Sequence, residues 1–298
     1  TVLASEIKSL NHIASLAERI TETLHHSLEV EGQQINITTS MGISVFPEDG
    51  EDIDVLLKNA DTAMYAAKEK GRNNYQFFQQ EMNESAKTRF EMWNSLNRAI
   101  DEDELTLYYQ PQFCNQTGRL TGTEALIRWY HPENGLVPPD KFLPFAEESG
   151  LIHQINEWVL WKACRQAQKW VEAGLFEGRR MGINISGQNV NLGLIGSLIS
   201  RIMEKTGLSP QNLEIELTER VMMENTEDAV EALKVLQEMG ISIAIDDFGT
   251  GYSALSHLQI FPLNSLKIDK SFIQNILAEE KNLSLIHSII GIAKSFNL

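Results

Sequence analysis

Cysteine is almost missing from this chain of 298 residues, which has only Cys114 and Cys164. The two lie far apart and lack metal-ligand spacing, so a reducing cytoplasm is expected, with both thiols in the core. Positive charge is also scarce. Twenty-five Lys and Arg face 41 Asp and Glu, a formal net charge of -16. Such a surface repels nucleic-acid polymers and anionic membranes, and an anionic substrate would need metal ions or a few well-placed basic residues. No apolar run is long enough to span a bilayer, and the N-terminus lacks the basic-then-apolar pattern of a signal peptide. No membrane contact is expected of this segment, although a parent protein tethered through an upstream region would fit. A helix start signal is missing as well. Ile13, Leu16, Ala17, Ile20 and Leu24 recur at helical spacing with no cap before them, so the chain is expected to begin inside a domain.

What is present is globular: 42% hydrophobic and 22% charged residues, enough for one large domain or two ordinary ones. Ile35 to Phe46 reads as a strand that ends at Pro47. A helix follows from about Ile53 to Lys70, its apolar face carrying Leu56, Leu57, Ala60, Ala63, Met64 and Ala67, and Gly71 is placed to end it. Tyr75 to Phe78 reads as a short strand. A polar helix over 81–103 would connect two halves and couple them mechanically. After it, strands and helices alternate. The strands are Leu105–Gln110, Gly122–Trp129, Met181–Ser186, Leu213–Thr218, Ile241–Asp246 and Ser265–Ile268. The helices are Trp158–Trp170, Val190–Lys205, Glu227–Met239 and Asn282–Phe296. Repeated strand-helix units suggest a (β/α) barrel, six strands being short of the usual eight.

Strand residues alternate faces, which divides each strand into two sets. Ile241, Ile243 and Ile245 suit outer helices, whereas Ser242, Ala244 and Asp246 are small and end in charge. Glu214, Glu216 and Thr218 oppose Leu213, Ile215 and Leu217; Asn184 and Ser186 oppose Ile183 and Ile185; Lys267 and Asp269 oppose Leu266 and Ile268; Glu124, Leu126 and Arg128 share a face. A convergent set of Glu124, Asn184, Glu216, Asp246, Asp247 and Lys267 would destabilise a barrel without counter-ions. It makes an oxygen-rich shell suited to Mg2+ or Mn2+. The competing reading is a group of solvated carboxylates at strand ends, followed by the glycine-rich turn after Asp247.

Two family resemblances are carried by motifs. Thr39-Ser40-Met41-Gly42-Ile43-Ser44, Phe46-Pro47-Glu48-Asp49-Gly50, Asn59-Ala60-Asp61-Thr62-Ala63-Met64-Tyr65, Ala67-Lys68 and Gly71-Arg72-Asn73 resemble the C-terminal half of a GGDEF (diguanylate cyclase) domain. Positions matching Lys68 and Arg72 help hold GTP phosphates in that family. The signature that names it is absent, so GTP cyclisation is not expected, and Lys68 and Arg72 are expected to be cations at a solvated helix end.

Tyr109-Gln110-Pro111, Thr123-Glu124-Ala125-Leu126-Ile127-Arg128-Trp129, His131-Pro132, Gly135-Leu136-Val137-Pro138-Pro139, Asn184-Ile185-Ser186, Glu216-Leu217-Thr218-Glu219, Asp246-Asp247-Phe248-Gly249-Thr250-Gly251-Tyr252 and Leu266-Lys267-Ile268-Asp269 resemble the EAL family of cyclic-di-GMP phosphodiesterases. The resemblance implies a TIM-like (β/α) barrel over 104–298, cut at its C-terminus, after a partial GGDEF domain over 1–80. It implies two Mg2+ or Mn2+ ions, one on Glu124, Asn184, Glu216 and Asp246, the other shared by Asp246 and Asp247. An attacking water oriented by Lys267 would open cyclic di-GMP to linear pGpG. Gln110, Leu126, Arg128, Asp140 and Asp269 become candidate substrate contacts, with Arg128 on phosphate. Glu219 is expected to anchor the Asp246-Asp247-Phe248-Gly249 loop, which belongs to the family's homodimer contact. A further second-metal glutamate and a last-strand glutamine would fall after Leu298, so weak or no turnover is expected of this chain by itself. The other reading is a non-hydrolysing cyclic-di-GMP receptor.

Overall fold

The structure, a computed structural model, describes residues 1–5, 7, 9–25, 28–30, 33–35, 38–186, 192–219, 221, 226–249, 258–274 and 280–298. The chain divides into two compact units, Thr1–Asn94 and Ser95–Leu298.

In the first unit, α1 (Leu10–His25) precedes an antiparallel pair, β1 (Leu28–Val30) and β2 (Gln33–Ile35). Strand β3 (Met41–Ile43) pairs in parallel with β4 (Tyr75–Phe77), with α2 (Ile53–Glu69) between them in sequence. The strand expected over Ile35–Phe46 is therefore mostly not one, and its residues 36–37 lie outside the described residues. Strand β3 ends where the Val45 amide is taken by a side chain. Ser44 Oγ donates to the Leu56 carbonyl at 2.8 Å, and the Val45 amide donates to Asp49 Oδ2 at 2.7 Å. Helix α2 begins where Asp52 accepts from the Val55 amide at 2.9 Å, a side-chain cap for an otherwise orphaned donor. Strand β3 lies so close to α2 that a Cβ on Gly42 would sit 1.8 Å from the Ala60 carbonyl oxygen.

Helix α3 (Gln80–Asp101) carries the chain across the boundary between the units. The second unit continues with β5 (Leu105–Phe113), β6 (Leu120–His131), β7 (Gly135–Val137), α4 (Pro139–Ser149) and α5 (Ile152–Glu172). Then come β8 (Arg180–Ile185), α6 (Leu192–Thr206), β9 (Leu213–Thr218), α7 (Thr226–Glu238), β10 (Ser242–Phe248), β11 (Ser265–Ile268), α8 (Lys270–Gln274) and α9 (Glu280–Ser295). One sheet has the order β11-β10-β9-β8-β6-β5, with β7 on β6. From β6 to β11 neighbouring strands are parallel, which gives the α/β, TIM-like pattern expected. Among the described residues the sheet ends at β5 and β11.

The alternation of strand and helix does not hold at the start. Strands β5 and β6 form an antiparallel hairpin with no helix between them. Its turn is closed by Gly118, at φ 65°, whose amide donates to the Cys114 carbonyl at 2.8 Å. Cys114 is consequently half-exposed beside the turn, contrary to the expectation of two core thiols, and only Cys164 is buried. The apolar strand faces behave as expected. Ile183, Ile185, Leu213, Ile215, Leu217, Ile243 and Ile245 are buried, as are Leu160, Ala163, Ile199, Ile202, Leu233 and Leu236 on the helices. Each buried Leu or Ile contributes about 1.5–3 kcal/mol, so this layer fixes the strand register and, with it, the position of every polar side chain on the opposite face.

Candidate functional site

Register fixes which polar residues meet. Asn184 lies opposite Glu216 across β8–β9, and Gln110 opposite Glu124 across β5–β6. Ala244, not Asp246, lies opposite Glu216, so Asp246 stands two residues further up β10. Glu124, Glu216 and Asp246 each bring a carboxylate oxygen to within 4.8 Å of the others, a group that could hold a metal ion. Asn184 Nδ2 donates to Glu124 Oε1 at 2.7 Å. Lys267 Nζ donates to Glu216 Oε2 at 2.6 Å, to Glu124 Oε2 at 2.9 Å and to Asp246 Oδ2 at 3.5 Å.

The Lys267–Glu124 contact also reports the shape of the sheet. Four inter-strand steps separate β11 from β6, about 19 Å in a flat sheet, farther than the two side chains can span. They meet because the sheet curls toward closure.

Adjacent strand residues ordinarily face opposite ways, which would aim Asp246 and Asp247 apart. Here Ile245 pairs with Leu266 and Phe248 with Ile268, so the two aspartates together oppose the single Lys267. That is a bulge, and it re-aims a side chain at a strand's C-terminal end. Asp247 sits in the left-handed region at φ 52°, strain of about 1–3 kcal/mol that the surrounding structure sustains. The Gly-rich continuation, Thr250-Gly251-Tyr252, lies outside the described residues.

Electrostatics follow from burial. Glu216 is fully buried, and desolvation pushes its carboxyl up to about 8; Glu124 and Asp246 push the same way and Lys267 opposes them. Burial disfavours the Lys267 ammonium, but Glu216, Asp246 and Glu124 outweigh it and raise its pKa. Partial burial, then the charge of Asp246 and the bond to Asp269, lift Asp247 to about 6. The cluster is thus anionic and only partly compensated by one lysine. Glu216 Oε1 is buried and has no hydrogen-bond partner among the described residues. An all-oxygen set with an unmet buried acceptor fits a hard divalent cation.

A neighbouring glycine makes this possible. A Cβ on Gly182 would fall 2.4 Å from Glu216 Oε1 and 3.1 Å from its carboxyl carbon. The sequence reading missed Gly182, and its one clue was a glycine just before Ile183-Asn184 in a buried strand.

The remaining candidates spread around the cluster. Arg128 and Leu126 are half-buried further along β6, the Arg128 guanidinium 5.4 Å from the centre of the Tyr108 ring. Gln110 is exposed on β5, and Asp269 follows β11, accepting from the Ser271 amide at 2.8 Å. Asp140 stands in the exposed first turn of α4 and makes no hydrogen bond to the cluster. Glu219 is buried just past β9. In the first unit, Lys68 is exposed in the last turn of α2, 4.9 Å from the Tyr65 ring centre, and Arg72 occupies the turn beyond.

The profile of the EAL domain matches residues 93–298, and that of the diguanylate cyclase GGDEF domain matches residues 1–74. The chain is 37% identical to the bifunctional diguanylate cyclase/cyclic di-GMP phosphodiesterase MucR of Pseudomonas aeruginosa, over 100% of this chain and 43% of that protein. It is also 37% identical to the cyclic di-GMP phosphodiesterase NbdA of the same organism, over 95% of this chain and 36% of that one. The chain therefore spans well under half the length of either relative. Among solved structures, the MucR phosphodiesterase in complex with c-di-GMP superposes with a TM-score of 0.66 at 36% identity, covering 70% of this chain and 84% of that one. The EAL enzyme Bd1971, in its cAMP and cyclic-di-GMP bound form, gives 0.67 at 34% identity, covering 72% and 58%.

Proposed function

Because the chain belongs to the EAL domain family, whose profile takes in residues 93–298, we propose that it hydrolyses cyclic di-GMP to linear pGpG with Mg2+ or Mn2+. The observation that carries this is the meeting of Glu124, Glu216 and Asp246 within 4.8 Å, under Asn184 and Lys267. Glu124, Asn184, Glu216 and Asp246 would hold one ion, and Asp246 with Asp247 would face a second. Bound there, the metal supplies a polarised phosphoryl oxygen and a water made nucleophilic at neutral pH.

The protein's own groups do the rest. Lys267 brings a positive charge to the place where negative charge develops on the phosphate oxygens. Arg128 offers a planar fork that matches phosphate, and Gln110 faces the same strand region. Asp140 and Asp269 are acceptors for the N–H edges of guanine, and Leu126 supplies an apolar wall. Lys267 and Arg128 also give an anionic dinucleotide somewhere to land on a chain of net charge -16. Glu219, buried after β9, would anchor the Asp246-Asp247-Phe248-Gly249 loop. The first unit acts as a regulator joined through α3, with Lys68 and Arg72 as helix-end cations. Homodimer formation through the second unit and a cytoplasmic location complete the proposal.

The test is chromatographic analysis of cyclic di-GMP incubated with the chain and Mn2+, with Mg2+, or with EDTA. Slow, metal-dependent formation of pGpG, lost in Glu124→Gln, is expected of this chain by itself. Nucleotide bound but never cleaved, in any metal, would leave a receptor instead.

A further inference from the structure

We infer that Lys267 is the resident counter-ion of the metal centre: its ammonium holds the cation's place among Glu124, Glu216 and Asp246 until a divalent ion displaces it. The inference rests on the metal-dependent reading above and adds to it an order of events and a determinant of metal affinity.

The donor count is the first argument. An ammonium has three N–H donors and no acceptor. Lys267 spends its contacts on three carboxylates, at 2.6, 2.9 and 3.5 Å. They are the same three whose oxygens converge within 4.8 Å. In this state no donor is left for a substrate phosphate, so Lys267 serves the reaction only after letting go.

The second argument is competition. A divalent ion drawn to the same oxygens meets a positive charge already among them, and the two repel strongly where water is scarce. The third is that the lysine can leave. Its side chain is 25% exposed and stands on β11, where the sheet ends among the described residues, whereas Glu216 is fully buried and cannot follow. A flexible four-carbon stem carries the charge away by rotamer change alone. Metal loading and the release of Lys267 toward substrate are then one event, and metal binds before the nucleotide is gripped.

The test is Mn2+ binding without nucleotide, read from the electron-paramagnetic-resonance signal of free Mn2+, for the whole chain and two variants. Lys267→Met should bind Mn2+ at least about 10-fold more tightly than the native chain. Its metal-free form should melt lower, and Mn2+ should restore the loss. Lys267→Arg keeps the charge and should show no gain. Equal or weaker binding by Lys267→Met overturns the inference and leaves the function intact. No Mn2+ binding by any form overturns the metal-dependent reading itself. If Lys267→Met fails to fold, reductive methylation of the native chain decides. Lys267 should be shielded without metal and modified faster with Mn2+, and equal rates overturn the inference.

Discussion

Gly182→Ala isolates the space that the centre needs. In most strand interiors replacing glycine by alanine gains about 0.5–1 kcal/mol, because the unfolded chain loses freedom. Gly182 lies inside β8 without a positive φ, so nothing in its backbone requires glycine. The added methyl would instead meet Glu216 Oε1 at 2.4 Å, about 1 Å inside ordinary contact, and the Thr123 carbonyl at 3.7 Å. Glu216 is fully buried and its other oxygen is bound to Lys267 at 2.6 Å, so the carboxylate has no free direction in which to yield. Overpacking of this kind costs about 1–3 kcal/mol. The sign of the substitution therefore reverses, and the melting temperature should fall by roughly 2–12 °C at about 2–4 °C per kcal/mol. Mn2+ affinity should drop as well, by about 10–100-fold, the range seen when groups that orient a ligand are disturbed. Urea unfolding in metal-free buffer and a Mn2+ titration measure the two effects. An alanine variant as stable as the native chain, with unchanged Mn2+ affinity, would refute the packing argument.

Glu216 gives the centre a pH dependence. Its carboxyl is pushed from 4.5 to about 8, so in the folded metal-free state it keeps a proton that the unfolded chain releases. Stability of the metal-free chain should accordingly fall as pH rises from about 4.5 to about 8, while Mn2+ affinity rises up to about tenfold per unit and levels off above 8. Denaturation and Mn2+ titrations at several pH values check both trends, and Glu216→Gln should flatten them. Glu104 receives the Trp129 indole N–H at 3.0 Å and Arg98 Nε at 3.0 Å. Glu104→Ala leaves that fully buried indole without its acceptor and should cost about 1–3 kcal/mol in urea unfolding. Burial pushes the Cys164 thiol up to about 12, so a thiol reagent should label only Cys114 in the native chain and both cysteines after denaturation.

The parallel strands were legible because their two faces differ so plainly. Ile183 and Ile185 against Asn184, or Ile215 and Leu217 against Glu216, leave no doubt about which side meets the helices. The same alternation picked out five of the converging groups, Glu124, Asn184, Glu216, Asp246 and Lys267, before any pairing was known. It could not supply the bulge that sets Asp246 and Asp247 together opposite Lys267, because a bulge breaks the very period being read. Nor could it reveal the reach from Lys267 to Glu124, 143 residues apart, which depends on the curl of the whole sheet. The two strands of the β5–β6 hairpin were both read from the sequence, but their antiparallel pairing was not, although Thr117-Gly118 marks a turn between them. In the first unit, the Asp49 carboxylate captures the Val45 amide and β3 ends early, against the β-branched run that suggested a longer strand.

The most direct test of the central claim is the anomalous diffraction of crystals of this chain grown with Mn2+ and cyclic di-GMP. The account predicts a manganese peak among the oxygens of Glu124, Glu216 and Asp246, with a phosphate of the nucleotide beside it. Nucleotide bound with no manganese at those carboxylates, or manganese bound only elsewhere, would contradict it.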